Sequence, residues 1–143
     1  MQRTLRVLRQ LERDNPDLFE IRFDLMKTTS SISKIRDTTY RPMIATNRRR
    51  DEGGSFVGTE DARIGMLLRA ARDGFDYVDV ELKTKNATKL VRRLEQEGAK
   101  AIVSYHNGKA TPRLSALESI LERERSAGAD VCKIVTTAKS HAD

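Results

Sequence analysis

The sequence predicts an α/β protein of the (β/α)8 barrel type with about five βα units present, and two observations lead to this fold class. Short segments rich in Val, Ile and aromatic residues alternate along the chain with segments whose apolar residues recur at helical spacing. Strands that alternate with helices indicate βαβ units and a parallel sheet. Ionisable residues also recur on one face of the predicted strands, which is typical of a barrel mouth.

Five segments have the composition of strands. Each is short and rich in Val, Ile or aromatic residues, and each is separated from the next by a helical segment. The predicted strands are 18–25, 41–46, 75–82, 100–105 and 129–135.

The first three helices are predicted from apolar spacing. The segment up to about residue 13 has helical Leu spacing, and 30–38 is a weaker helix. The third helix begins after Thr59 and has Glu60 and Asp61 in its first turn, where the helix dipole favours acidic side chains. Its apolar stripe follows the i, i+3, i+4, i+7 pattern at Ile64, Leu67, Leu68 and Ala71.

Two further helices are predicted from their end signals. Asn86 precedes the fourth helix, and Gly98 closes it. The fifth helix is predicted to open with Thr111 as N-cap and Pro112 at its first position, and to end at Gly128. The chain therefore alternates helix and strand from end to end, as one domain over residues 1–143.

An open doubly wound sheet and a (β/α)8 barrel both fit this alternation. The glycine-rich first turn of a dinucleotide-binding sheet is missing, since neither "EGG" nor "HNGK" supplies G-x-G-x-x-G. Successive strand residues point to opposite faces, and a parallel strand buried on both faces is normally apolar throughout. Here one face is apolar and the other ionisable, which favours a barrel whose ionisable face looks into the mouth. The polar side chains on that face are Glu20, Arg22, Asp24, Tyr77, Asp79, Glu81, Ser104, His106 and Lys133, and Thr46 and Arg48 extend the set.

Composition limits the functional classes. The formal net charge of +6 favours an anionic partner, and a small anionic metabolite accounts for it. Nucleic acid is not expected, because aromatic residues make up only 5% and none lies among the arginines of "NRRRDE". No apolar run approaches the roughly 20 residues of a membrane span, and the N-terminus has no signal core. With a single cysteine, Cys132, which fits a reducing compartment, we expect a cytoplasmic protein.

The ionisable face suggests carbonyl chemistry. Lys133 lies among apolar residues of a predicted strand, where desolvation disfavours the charged amine, and a neutral amine forms Schiff bases with ketones and aldehydes. His106, near the end of the neighbouring strand, is a candidate general acid and base, and Glu52 is a candidate to orient its imidazole. A single lysine in a strand is more often a solvent-facing edge residue, but the recurrence of ionisable groups on one face favours a shared site.

Substrate recognition and metal binding are also constrained. Arg22, Arg48 and Glu20 offer guanidinium donors and a carboxylate acceptor for a hydroxylated, anionic substrate. A metal centre is not expected, since the chain has two histidines and His141 lies in a polar tail without evident partners.

At these residues the sequence resembles the type I 3-dehydroquinate dehydratases, the Schiff-base enzymes of the shikimate pathway. Five pieces follow one another in family order over nearly the whole chain. They are "EIRFDL", "TNRRRDEGGSFVG", "DYVDVEL", "VSYHNGKATP" and "DVCKIVTTAKS".

The resemblance implies a reaction and a role for each matched residue. Lys133 corresponds to the Schiff-base lysine that attacks the C3 ketone of 3-dehydroquinate. His106 corresponds to the histidine that removes a C2 proton and protonates the departing C1 hydroxyl, and Glu52 to the carboxylate paired with that histidine. The substrate-holding residues of the family match Glu20, Arg22 and Arg48, and its supporting acidic residues match Asp79 and Glu81. The family uses no metal and no cofactor.

The resemblance also marks departures. The family commonly has Asp-Phe after the histidine, where this chain has Asn107 and Gly108. Its barrel has eight strands, and the five here correspond to the second to the sixth. We therefore expect a partial barrel that lacks the strands carrying the carboxylate-binding arginine and the Ser/Gln lid.

Alternative functions remain open from the sequence. Another Schiff-base barrel enzyme, such as a class I aldolase, shares the lysine chemistry but predicts neither the "EGG" loop nor the "SYH" strand end. A non-catalytic fragment that binds an anion through its basic face is the second alternative, and a nucleic-acid binder that uses Arg48, Arg49 and Arg50 is the third. Pairing of two chains into a homodimer is also left open.

Overall fold

A computed structural model describes residues 2–26 and 32–140. Its helices are α1 (Gln2–Leu11), α2 (Ile32–Arg36), α3 (Glu60–Arg72), α4 (Ala87–Gln96) and α5 (Leu114–Ser126). Its strands are β1 (Phe19–Arg22), β2 (Met43–Thr46), β3 (Tyr77–Glu81), β4 (Lys100–Asn107) and β5 (Val131–Thr136). Three short 3-10 turns cover Glu12–Asp14, Phe23–Leu25 and Arg50–Glu52.

The five strands form one parallel sheet in the order β1-β2-β3-β4-β5. Right-handed crossovers between strands in sequential order place every connecting helix on the same side of the sheet. A doubly wound sheet would instead reverse its strand order and carry helices on both faces. The prediction of a (β/α)8-type partial barrel with five strands is therefore confirmed.

The hydrophobic core lies between the helices and one face of the sheet. Leu67 of α3 and Leu94 of α4 are fully buried, as are Val78 and Val80, the two β3 residues that point away from the ionisable face. Burial of such aliphatic side chains stabilises a fold by roughly 1.5–3 kcal/mol each. This layer holds the strands in register, and the register positions the polar side chains on the opposite face.

Most predicted end signals hold. The Thr59 side chain accepts a hydrogen bond from the backbone N–H of Ala62 and so caps α3. Gly98 and Gly128 follow α4 and α5 with φ values of 85° and 94°, the left-handed conformation that glycine adopts without penalty. The predicted helix 30–38 is described as Ile32–Arg36, and residues 30 and 31 lie outside the described part of the chain.

Two boundary predictions were wrong. The first strand ends at Arg22 rather than continuing to residue 25, because the chain turns into a 3-10 helix. Thr111 does not cap the fifth helix, which begins at Leu114 with Arg113 before it and no side-chain cap. The Thr111 hydroxyl is instead hydrogen bonded to the hydroxyl of Thr136 on β5, at 3.1 Å.

Candidate active site

The predicted site residues lie on the polar face of the sheet, and strand register determines which of them meet. Glu81, Ser104 and Lys133 are direct neighbours across β3, β4 and β5. Asp79 is on the same face, two residues earlier in β3. Strands β3, β4 and β5 therefore bring one lysine, two carboxylates and a hydroxyl together.

Lys133 pairs with a buried carboxylate. Its Nζ donates to Oδ2 of Asp79 at 3.0 Å, and the Lys133 side chain is 33% exposed. Its strand neighbours Val131 and Val135 are each 41% exposed. The expectation that this amine sits in apolar surroundings was therefore wrong, because β5 is an edge strand of the described sheet and Nζ is hydrogen bonded to Asp79.

Asp79 is fully buried and saturated with donors. Besides Lys133, its carboxylate accepts from Arg48 Nη2 at 2.6 Å and from Ser104 Oγ at 2.5 Å. Burial raises the pKa of Asp79, but the hydrogen bond and charge of Arg48 and the charge of Lys133 outweigh it, so that the pKa is lowered from its usual range. Asp79 is therefore a carboxylate at neutral pH, shared between a guanidinium and an ammonium.

Arg48 is a buried connector. Only 3% of Arg48 is exposed, and its guanidinium donates to Asp79, to Glu81 Oε1 at 3.1 Å and to Ser104 Oγ at 2.9 Å. Glu81 Oε1 also accepts from the backbone N–H of Arg49 at 3.1 Å. The guanidinium predicted to hold substrate is thus engaged with the two acidic residues predicted to support the site.

Glu52 and His106 are brought together by the loop after β2. Glu52 is buried in the 3-10 turn, and its Oε2 accepts from the backbone N–H of His106 at 3.1 Å and lies 3.2 Å from the ring Nδ1. A carboxylate at Nδ1 favours the tautomer in which Nδ1 carries the proton and Nε2 is left as the acceptor. Glu52 Oε1 has no hydrogen-bond partner among the described residues and lies 3.8 Å from Nζ of Lys83.

The His106 imidazole is accessible from solvent. Its side chain is 15% exposed and lines a groove of about 350 Å³. The groove is lined by the loop that carries Glu52 and by residues at the ends of β4 and β5, among them Val135 and Thr137. A small molecule entering this groove can therefore reach the imidazole.

Glu20 and Arg22 lie at the other edge of the sheet, on β1, with three strands between them and β5. Glu20 is exposed and accepts from the Thr46 hydroxyl at 2.6 Å. Arg22 forms a bidentate pair with Asp24 at 2.8 and 2.7 Å. The structure therefore does not bring these two residues into contact with Lys133 or His106.

Two further polar residues shape the site, one from the predicted polar face and one outside it. Asp24 is buried and binds Arg22 and the backbone N–H groups of Arg48 and Ser55, so that it fixes the loop carrying Glu52. Arg63 of α3 is buried and pairs with Glu81. The burial of Arg63 has a signal in the sequence, because Arg63 lies four residues before Leu67 on the apolar stripe of its helix.

The described residues form neither a metal-binding cluster nor a membrane-spanning helix. In the part of the chain that the structure describes, no group of three or more His, Cys, Asp or Glu side chains is arranged to hold a metal ion. His141 lies outside that part. Within residues 2–26 and 32–140, none of the helices has the length and apolarity needed to cross a membrane.

Comparisons with known proteins agree on one family. The family model described as type I 3-dehydroquinase matches residues 1–143. The 3-dehydroquinate dehydratase of Methanothrix thermoacetophila is 38% identical over 135 residues, which covers 94% of this chain and 57% of the relative. That of Methanococcoides burtonii is 36% identical over 135 residues, covering 89% of this chain and 58% of the relative.

A solved structure shows the same arrangement. The crystal structure of 3-dehydroquinate dehydratase from Geobacillus kaustophilus superposes with a TM-score of 0.87 at 26% identity, and the match covers 95% of this chain and 57% of that one. The present chain therefore spans a little over half the length of the relatives that it resembles.

Proposed function

The chain belongs to the type I 3-dehydroquinase family, and from this premise we propose that it carries the Schiff-base site of a 3-dehydroquinate dehydratase. The reaction is the conversion of 3-dehydroquinate to 3-dehydroshikimate and water, which makes the protein a hydro-lyase. The observation that carries the proposal is the placement of Lys133 and His106 on one face of adjacent strands. Residues 1–143 act in this proposal as one unit, a partial barrel.

Strand geometry supports the pairing of Lys133 with His106. Ser104 is the direct neighbour of Lys133, and His106 lies two residues further along β4 on the same face. Two residues along a strand and one strand across correspond to a Cα–Cα separation of about 8 Å. Both side chains are long enough to reach adjacent carbon atoms of one small substrate held between them.

In the proposed reaction, Nζ of Lys133, after it has lost its proton, attacks the C3 ketone, and loss of water from the carbinolamine leaves an iminium ion. The iminium withdraws electrons and acidifies the C2 protons. Nε2 of His106 accepts a C2 proton, and the electron pair left behind expels the C1 hydroxyl, which leaves as water with the proton that His106 returns. Hydrolysis of the product iminium releases 3-dehydroshikimate and the free amine.

The neighbouring carboxylates support these steps. Glu52 at Nδ1 stabilises the imidazolium that forms when His106 holds the C2 proton. Asp79, 3.0 Å from Nζ, holds the ammonium before reaction and stabilises the iminium charge afterwards. Glu81 lies in register with Ser104 and Lys133 and accepts a hydrogen bond from Arg48, which it helps to hold beside Asp79.

Recognition of the substrate is proposed for Glu20, Arg22 and Arg48. Glu20 is exposed and Arg22 is partly exposed on the polar face, so both offer groups to substrate hydroxyls. The net charge of +6 attracts an anionic substrate. We further propose that the protein needs no cofactor and acts in the cytoplasm without nucleic acid.

The test traps the Schiff base. Purified protein is mixed with 3-dehydroquinate and borohydride, and the reduced adduct is located by intact mass and peptide mapping. We expect one adduct on Lys133, in two forms that differ by one water, because substrate and product imines are both reduced. Lys133→Met abolishes the adduct, whereas Lys89→Met, at an exposed position of α4, leaves it unchanged.

His106→Asn separates attachment from dehydration. In this variant we expect the adduct on Lys133 to persist, but only in the heavier form, because the C2 proton is no longer removed. The absence of any adduct from wild-type protein that circular dichroism shows to be folded would reject the proposal. An adduct on another lysine would reject the assignment of Lys133.

A further inference from the structure

Arg63 occupies an unusual position for a charged residue on an outer helix. It belongs to α3, yet only 1% of it is exposed. All five of its N–H groups have acceptors: both oxygens of Glu60 at 2.8 Å, Thr84 Oγ1 at 2.9 Å, the carbonyl of Asn47 at 3.0 Å and Glu81 Oε2 at 2.5 Å. A guanidinium saturated in this way has one orientation.

Glu81 transmits that orientation across the sheet. One of its carboxylate oxygens accepts from Arg63, and the other accepts from Arg48 and from the backbone N–H of Arg49. Because Arg63 binds Oε2 of Glu81, only Oε1 accepts a hydrogen bond from Arg48. Without Arg63, the whole carboxylate of Glu81 becomes available to Arg48 as a bidentate partner.

The chain of ion pairs ends at the amine of the site. Arg48 contacts Glu81 through Nη1 and Asp79 through Nη2, and the same oxygen of Asp79 contacts Lys133. Charges therefore alternate from the helix to the lysine, as Arg63, Glu81, Arg48, Asp79 and Lys133. Asp79 divides its negative charge between a guanidinium and an ammonium, and the division depends on how far Glu81 draws Arg48 away.

We propose that Arg63 is a positioning residue for Lys133, acting through Glu81 and Arg48 to keep Asp79 shared between Arg48 and the amine. Loss of Arg63 lets Glu81 capture Arg48, and the freed Asp79 then holds the Lys133 ammonium more tightly. The amine is consequently less available as a nucleophile at a given pH. This inference rests on the proposed function only for the statement that Lys133 is the reacting amine.

The test measures amine reactivity without substrate. Wild-type protein, Arg63→Met, Arg63→Gln and Arg63→Lys are labelled with trace acetic anhydride from pH 6 to 10, and acetylation of each lysine is read by peptide mass. Lys89 on the surface of α4 is the internal reference. Arg72→Met is the control variant, because Arg72 lies on the same helix and pairs with Glu97 at the exposed surface.

In the folded neutral variants, Arg63→Met and Arg63→Gln, we expect acetylation of Lys133 relative to Lys89 to fall about tenfold near pH 8. A tenfold fall corresponds to a displacement of the Lys133 acetylation profile by about one pH unit, which is at the low end of the displacements that a change in neighbouring charge produces. Arg63→Lys keeps a cation beside Glu81 and returns the profile toward wild type, and Arg72→Met leaves it unchanged.

Three results would overturn the inference. One is a neutral variant that is folded and less stable but has the wild-type Lys133 profile, since Arg63 would then be purely structural. A second is that Arg63→Lys folds and neither neutral variant does, since the charge of Arg63 would then be needed for folding itself. The third is that Arg72→Met displaces the pH profile of Lys133 acetylation as much as the Arg63 variants do. If the borohydride trap fails but the neutral Arg63 variants show the expected displacement of the Lys133 acetylation profile, the proposed function is rejected and the inference stands.

Discussion

Glu124 gives a sharp test of the electrostatics beneath the site. It lies on α5, is completely buried, and neither of its carboxyl oxygens has a hydrogen-bond partner among the described residues. Burial is the main cause that raises the pKa of Glu124 to about 7, and the negative charge of Asp79 acts in the same direction. The perturbation is Glu124→Gln, which keeps the shape of the side chain and removes its ionisation.

The sign and size of the effect follow from proton linkage. Between pH 4.5, the usual pKa of a glutamate, and pH 7, folding takes up a proton at Glu124 because the native state holds it and the unfolded state does not. The free energy of unfolding therefore falls with rising pH by about 1.4 kcal/mol per unit in this window. The accumulated cost of Glu124 reaches at most about 3.5 kcal/mol above pH 7, and it is absent at pH 4.5.

Urea unfolding at a series of pH values between 4.5 and 8 measures this difference. We expect Glu124→Gln to match wild type near pH 4.5 and to become progressively more stable than wild type up to pH 7, with no further gain above. Glu118→Gln, an exposed position on the same helix, is the matched control and should show no such growth. A pH-independent difference between Glu124→Gln and wild type would refute the reasoning, because it would mean that Glu124 does not change ionisation on folding.

Two further predictions concern the loop that carries Glu52. A Cβ on Gly54 would overlap the carbonyl of Arg48, so Gly54→Ala should destabilise the fold by about 2 kcal/mol, which urea unfolding measures. The same change should loosen the contact of Glu52 with the His106 imidazole, which the NMR shifts of the imidazole nitrogens report. Gly65→Ala is the control and should be neutral or stabilising, because a Cβ at Gly65 meets open space. Burial raises the pKa of Asp24, but its bonds to Arg22 and two backbone N–H groups outweigh this and lower it. Asp24→Asn should therefore cost about 2 kcal/mol at pH 7, and the difference should vanish as pH falls through the lowered pKa; a constant cost down to pH 2 would contradict the pairing.

Much of the fold follows from the sequence because it depends on local patterns. Helix α3 is marked by the Thr59 cap and an apolar stripe, and Gly98 and Gly128 mark helix ends that need a left-handed residue. Alternation of helix and strand then requires a parallel sheet. The alternation of polar and apolar residues within strands identified which face would carry the ionisable groups.

Local patterns did not determine the ends of two elements. Thr111 has the composition of a cap, but its hydroxyl contacts Thr136 on the neighbouring strand, and α5 begins at Leu114. The first predicted strand stops at Arg22, because Asp24 turns inward to bind backbone groups of the loop after β2. Both outcomes depend on partners far away in the sequence.

The sequence by itself determined which residues share the polar face, since strand periodicity fixes the direction of each side chain. Only the tertiary structure decided their partners, because partners depend on register across strands and on which groups are buried together. Register placed Lys133 beside Ser104, where its amine reaches Asp79 rather than apolar side chains, and the packing of α3 carried Arg63 into the same buried network. An isolated charge cannot remain buried at low cost, so the network had to be completed by residues that no single segment of the sequence contains.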